Sequence, residues 1–478
     1  MTPPPGARND EPVILATARG GEVVPAVEDR SYLAYVAAAL AVALLGGFVL
    51  AVLVPLTAIG TLPWAERLPE LIQAHGWAQL QGWAGIFVAG MGLRLIPRFA
   101  GRHPIPVTIT LPVLALLLAG VVLRTLLQPA AGRALADVGL LAGVTCSAVA
   151  MLSFAGTLGY TLHRGRKRPE PWRYFAWAGA VWWAAWAVLV LAAGVRATAN
   201  DGLVPGMLDE ASTWVVFFGA IANFIWAIQS RSVPVFFGRR PPTLRRVLAP
   251  GALLNAGVLL VLLSILPWSD AAATRLEGLG LTLAGLATAW LAPLAGSISG
   301  RAHRLRPRAR AASRFVLAAD WWAMVAGALA MWAGIASLAS GRFELFGVRD
   351  AARHALGIGL ISMLIVGMAQ LVAPVFALER AEARPPGVEY VVGWPALFLA
   401  AGMRVAAGVL FGHMGERARM ELIAAAGVLG WIGIAAFAWS VVRARQGAAH
   451  EGAPHGGSRV GGEAQPPPAR LSRAAMPG

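Results

Sequence analysis

Runs of about twenty apolar residues recur along nearly the whole chain, and a run of that length is what a bilayer core of roughly 30 Å requires of a helix. A backbone crossing lipid must satisfy its own polar groups, which restricts such a sequence to a bundle of helices. Composition points the same way. Of 478 residues, 57% are apolar and 13% charged, against roughly 25% charged in soluble domains. The spacing predicts an all-α integral membrane protein with about twelve transmembrane helices, near 31–57, 74–96, 106–126, 134–162, 174–195, 209–232, 247–267, 275–298, 314–338, 352–376, 391–411 and 420–442. Residues 1–30, with Pro3, Pro4 and Pro5 ahead of mixed charges, read as an N-terminal tail and do not resemble a cleaved signal peptide. Residues 444–478, rich in Gly, Pro, Ala and Arg, read as a disordered tail.

A net charge of +16 does not make this a nucleic-acid binder, because the basic residues sit between apolar runs. They are a topology signal. The loops after even-numbered helices hold Arg98 and Arg102; Arg164, Arg166, Lys167 and Arg168; Arg239, Arg240, Arg245 and Arg246; and Arg301, Arg304, Arg306, Arg308 and Arg310. The loops after odd-numbered helices mix fewer bases with acids such as Glu66, Asp201, Asp270 and Glu344. The positive-inside rule therefore places the even loops and both termini in the cytoplasm of a cell that keeps this protein in its inner (plasma) membrane. The one cysteine, Cys146, excludes an intramolecular disulfide and a thiolate metal site.

The even helices repeat one another. Helix 2 ends in LRLIPRFAGR, helix 6 in QSRSVPVFFGRR and helix 10 in AQLVAPVFALER, so that Pro97, Pro234 and Pro374 recur at nearly equal intervals. Three four-helix units are expected, at 31–162, 173–298 and 314–443.

Eight histidines are present. His450 and His455 fall in the tail, His103, His163 and His303 in basic loops, and His413 near an external loop. His75 and His354 remain, at the external starts of helices 2 and 10, each standing nearly the same distance ahead of its repeat proline. The middle unit offers Asp209, Glu210 and Ser212 there. A histidine entering a membrane needs a partner, and two on corresponding helices can ligate one haem iron from opposite faces. The plain alternative is that each sits half-hydrated at the headgroup level.

The stretch His75 to Pro97, a histidine followed by glycines and a Leu-x-Pro element, resembles helix 2 of the haem–copper oxidase catalytic subunit. That resemblance implies twelve helices in pseudo-threefold order and a haem held by helices 2 and 10, onto which His75 and His354 map. Helices 6 and 7 lack the remaining histidines of that family, so copper is not expected. A nearer resemblance is to the NnrS family of membrane haem proteins, through helix 2, the Arg231-Ser232-Val233-Pro234-Val235-Phe236 end of helix 6, and RHALGIGLISMLIVGM in helix 10. It implies b-type haem and a role in handling nitric oxide or electrons. Arg417 and Arg419 occupy the loop where the oxidases bind haem propionates, but Glu416 and Glu421 beside them fit an ordinary surface network better.

Asp320, beside Trp321 and Trp322, is either a proton-path residue or an interfacial acid. Arg94 and Arg231 either snorkel to the cytoplasmic face or bind an anion. Two rival functions remain on the residues alone, a cofactor-free secondary transporter and a membrane assembly or structural protein.

Overall fold

The computed structural model describes residues 31–298, 307–377 and 387–451, with backbone only for 307–309, 372–377 and 444–451. The N-terminal tail, the chain beyond Glu451, and Arg301, Arg304 and Arg306 lie outside the described residues. Every regular element among the described residues is helical. Adjoining pieces combine into twelve rods: α1 (Ser31–Ala58), α2 (68–99), α3 (Val107–Leu127), α4 (Ala134–Arg164), α5 (Pro171–Thr198), α6 (Gly206–Phe236), α7 (Leu244–Leu263), α8 (Asp270–Leu294), α9 (Pro307–Ser340), α10 (346–377), α11 (Glu389–Val409) and α12 (Glu416–Glu451). Ten of the twelve are long and apolar enough to cross a bilayer, and the chain is a multi-pass membrane protein. The exceptions, α2 and α8, are comparably long but more polar.

Consecutive rods pack as antiparallel neighbours, and α12 returns onto α1. Parts of α2, α6 and α10 run through the interior. In α6 and α10 about four-fifths of the apolar stretch is buried, 83% and 78%, against 33% in α1. Burial also explains how α2 tolerates Gln81 and Arg94 in a lipid setting: protein, not hydrocarbon, surrounds them. Each of the three inner rods is interrupted by a π-helical stretch, Ala78–Gly85 in α2, Val215–Ile221 in α6 and Ala355–Ser362 in α10. The α2 stretch packs against the other two.

Lipid offers little hydrophobic drive for joining helices, so close packing of small residues must supply it. The outer rods show how. Gly278 and Gly285 of α8 meet Gly334 and Gly327 of α9, and Gly257 of α7 meets Gly280 of α8. A Cβ at any of these glycines would lie 2.5–2.7 Å from the opposing glycine's carbonyl oxygen.

Candidate functional site

A cavity of about 200 Å³ lies where α2, α6 and α10 converge, and α1, α3, α5, α11 and α12 also contribute to its walls. His75 and His354 both line it, although they come from rods near opposite ends of the chain. Their neighbours on the wall include Trp77, Trp83, Trp186, Phe217, Asp209, Ser212 and Ser362. The fold therefore brings the two histidines, and two of the three polar residues expected from the middle unit, to one place.

Each imidazole is fixed through Nδ1. His75 Nδ1 lies 3.0 Å from the Gly47 carbonyl oxygen on α1. His354 Nδ1 lies 2.8 Å from the Asp350 carbonyl oxygen one turn back, with the Asp350 carboxylate at 3.3 Å. A carbonyl can only accept, so Nδ1 carries a proton in both rings, and in the neutral tautomer that leaves the lone pair on Nε2. Neither Nε2 has a hydrogen-bond partner among the described residues. Neutral imidazoles oriented through Nδ1 have the donor chemistry of axial metal ligands. Among the described residues no three His, Cys, Asp or Glu side chains converge into a protein-only metal centre.

A charged network stands behind His354. The start of α10 reads FGVRDAARH, which places Arg349 and Arg353 one turn apart, as are Asp350 and His354. Arg349 forks onto Glu277 of α8 at 2.6 and 3.2 Å, reaches Glu210 of α6 at 3.0 Å, and donates to Ser337 Oγ of α9 at 2.9 Å. Arg353 also pairs with Glu210, which accepts from the Trp214 indole at 2.7 Å. Asp350 is held bidentately by Arg404 of α11, at 2.7 and 3.3 Å. The backbone turn carrying His354 is thereby tied to α6, α8, α9 and α11. Sequence reasoning misses this network, because acids and arginines near helix ends look like loop charge.

A strap closes one edge. Gln73 exchanges hydrogen bonds with the backbone of Val204, both 3.0 Å, while Gln128 donates to the Gly202 carbonyl at 2.9 Å. Gly202 has φ +95°, and a Cβ there would fall on the Gln128 carbonyl, so only glycine lets this loop sit down.

Other expected residues fall elsewhere. Arg417 is exposed and paired with Glu421 at 3.0 Å, and Arg419 lies over the Phe411 ring. Neither lines the cavity. The arginines that do are Arg124, Arg353 and Arg404. Asp320 is fully buried and accepts from Gln229 at 3.0 Å and from Ser297. Arg231 pairs with Glu170 at 3.0 Å above the Phe99 ring, and the Arg94 guanidinium lies over Tyr32.

Trp83 joins two inner rods by donating from its indole to Ser362 Oγ at 2.9 Å, and Ser362 in turn donates to the Gly357 carbonyl. Trp83→Phe is expected to lower stability by about 1 kcal/mol, read as a small drop in the thermal unfolding midpoint in detergent. An unchanged midpoint would show that the bond contributes nothing.

Comparison with models of known protein families finds no match, and comparison with curated proteins finds none either.

Proposed function

We propose that this chain is a b-type haem protein of the membrane, NnrS-like or degenerate-oxidase-like in architecture, with His75 and His354 as axial ligands. The observation that carries the reading is the pair itself: two imidazoles from distant parts of the chain on one cavity wall, each held through Nδ1 with Nε2 free. The reading includes twelve crossings, cytoplasmic termini, residence in the inner (plasma) membrane and three four-helix units. The repeat draws support from the π-helical stretches, which begin at Ala78, Val215 and Ala355. Each start stands at the same distance ahead of its own repeat proline, Pro97, Pro234 or Pro374.

Bound haem supplies a redox-active iron. The chain's own contribution is to orient the imidazoles through Gly47 and Asp350, to hold the α10 turn by the Arg349 network, and to exclude water with Trp77, Trp83 and Trp186. Two axial histidines suit electron transfer, while a single one leaves a position for nitric oxide. The donor set fits haem. A cavity of about 200 Å³ is smaller than the roughly 300–1,000 Å³ of sites for drug-sized ligands, so seating a macrocycle requires the walls to part.

The test is an absorbance spectrum of the detergent-purified protein, oxidised and dithionite-reduced, with haem quantified chemically. A sharp reduced α-band and about one haem per chain are expected for bis-imidazole ligation, with the band lost in His75→Ala and in His354→Ala. A featureless spectrum from folded protein made with ample haem would overturn the reading. A second reading, a cofactor-free transporter of a small organic ion, is favoured by two observations: the cavity takes such a molecule without any movement, and paired charges are buried beside it. It takes precedence if the spectrum is featureless.

A further inference from the structure

The three arginines on the cavity wall are not equivalent. Arg353 is paired with Glu210, and Arg404 forks onto Asp350. Arg124, from the middle of the apolar α3 run VVLRTLL, is 4% exposed. Its guanidinium carbon lies over the Trp77 indole, 3.9 Å from the ring centroid, and its Nε donates to Gln128 Oε1 at 3.0 Å. Gln128 is itself fixed by Gln73 and the Gly202 carbonyl. The planar group is therefore oriented from two sides while its terminal nitrogens make no hydrogen bond to any described residue. Asp209, also on the wall, acts on it only through space. A buried guanidinium with an unused fork is costly unless something completes it, and a fork of parallel N–H groups matches a carboxylate.

We propose that Arg124 is the anchor for a carboxylate on the molecule that occupies this cavity. The aromatic wall of Trp77, Trp83, Trp186 and Phe217 suits an apolar body attached to that carboxylate. The inference rests on the cavity being the ligand site and, in one of its two forms, on the ligand being haem. The carboxylate is then a haem propionate or belongs to a free amphipathic acid.

Two arms separate these sources. In the first, haem-free wild type and Arg124→Gln are titrated with haem and with haem dimethyl ester, which masks both carboxylates but keeps ring and iron. Wild type is expected to favour haem over the ester by about 10–100-fold, the range for a charge-assisted pair. Arg124→Gln is expected to erase most of that preference while its bound spectrum stays unchanged, a result that a merely structural role for Arg124 would not produce. In the second arm, thermal unfolding is followed with benzoate or benzamide. Stabilisation by benzoate alone, lost in Arg124→Gln, assigns the carboxylate to a free acid. Arg124→Lys keeps the charge but not the fork and is expected to fall between the two, and it substitutes for the Gln variant if that does not fold. Failure of wild type to bind either porphyrin would overturn the haem reading alone, leaving the second arm to decide on Arg124. Absence of any carboxylate preference in wild type in both arms, or a wild-type preference retained in the variants, overturns the inference.

Discussion

Replacing Arg349 with Met is expected to destabilise the bundle by about 3–5 kcal/mol, the effect of leaving buried charge uncompensated. Arg349 is 1% exposed and touches two carboxylates, a hydroxyl and, through Nε at 3.2 Å, the Glu344 carbonyl. Without it, Glu277 loses the only ion-pair partner identified for it among the described residues, and Glu210 retains Arg353 alone. The expected readout is a sharp loss of monodisperse protein after detergent extraction. The paired change Arg349→Met/Glu277→Met removes both charges and is expected to recover a substantial part of that loss, since apolar replacement of a whole buried ion pair is close to neutral. If the single variant extracts and unfolds like wild type, the network has no structural weight, and the rigid backing assigned to His354 goes with it.

The second large effect is expected at Gly285. Its Cα faces the backbone of Gly327, where a Cβ would sit 2.5 Å from a carbonyl oxygen, and backbone cannot step aside as a flexible side chain can. Gly285→Leu should force α8 from α9 along the Gly278–Gly334 and Gly285–Gly327 contacts, costing at or beyond the roughly 1–3 kcal/mol typical of overpacking. Gly156 on α4 provides the control, because it is exposed and a Cβ there meets nothing within 4 Å. Gly156→Leu should leave the unfolding midpoint where it was. Milder Gly285→Ala and Gly327→Ala changes should be less than additive when combined, because the first already parts the helices. Strict additivity would mean that the two glycines do not share one contact.

The rods were legible because length and apolarity are local properties. Each expected helix is present, with ends displaced by a few residues, as at α2, which begins at Leu68 rather than near 74. The shared location of His75 and His354 was also readable, from their nearly equal distance to a repeated proline. What the sequence obscured was pairing. Glu210, Glu277 and Arg349 each read as ordinary charge near a helix end, and nothing in a linear chain states that three such residues from α6, α8 and α10 meet. The one local sign was RDAARH, where arginines four apart stand beside an acid and a histidine four apart. Arg124 was hidden differently, as a lone cation in an apolar run. Gly278 and Gly285, like Gly327 and Gly334, are separated by a two-turn period that marks one helical face and could have announced the α8–α9 seam.

The wide turns in the inner rods also have a consequence for how the cavity is aimed. A π-helical stretch accommodates an additional residue without ending the helix, and one residue of α-helix corresponds to about 100° of rotation. Ala78–Gly85 follows immediately after Trp77, and Ala355–Ser362 immediately after His354. The halves of α2 and α10 on either side are thus set out of phase, one phase presenting the histidine and its polar neighbours, the other the core that carries Phe87 and Met363. The direction in which His75 and His354 look is encoded in residue count as well as residue identity. A chain shortened by one residue in either stretch would keep both histidines and still turn one of them away from the cavity.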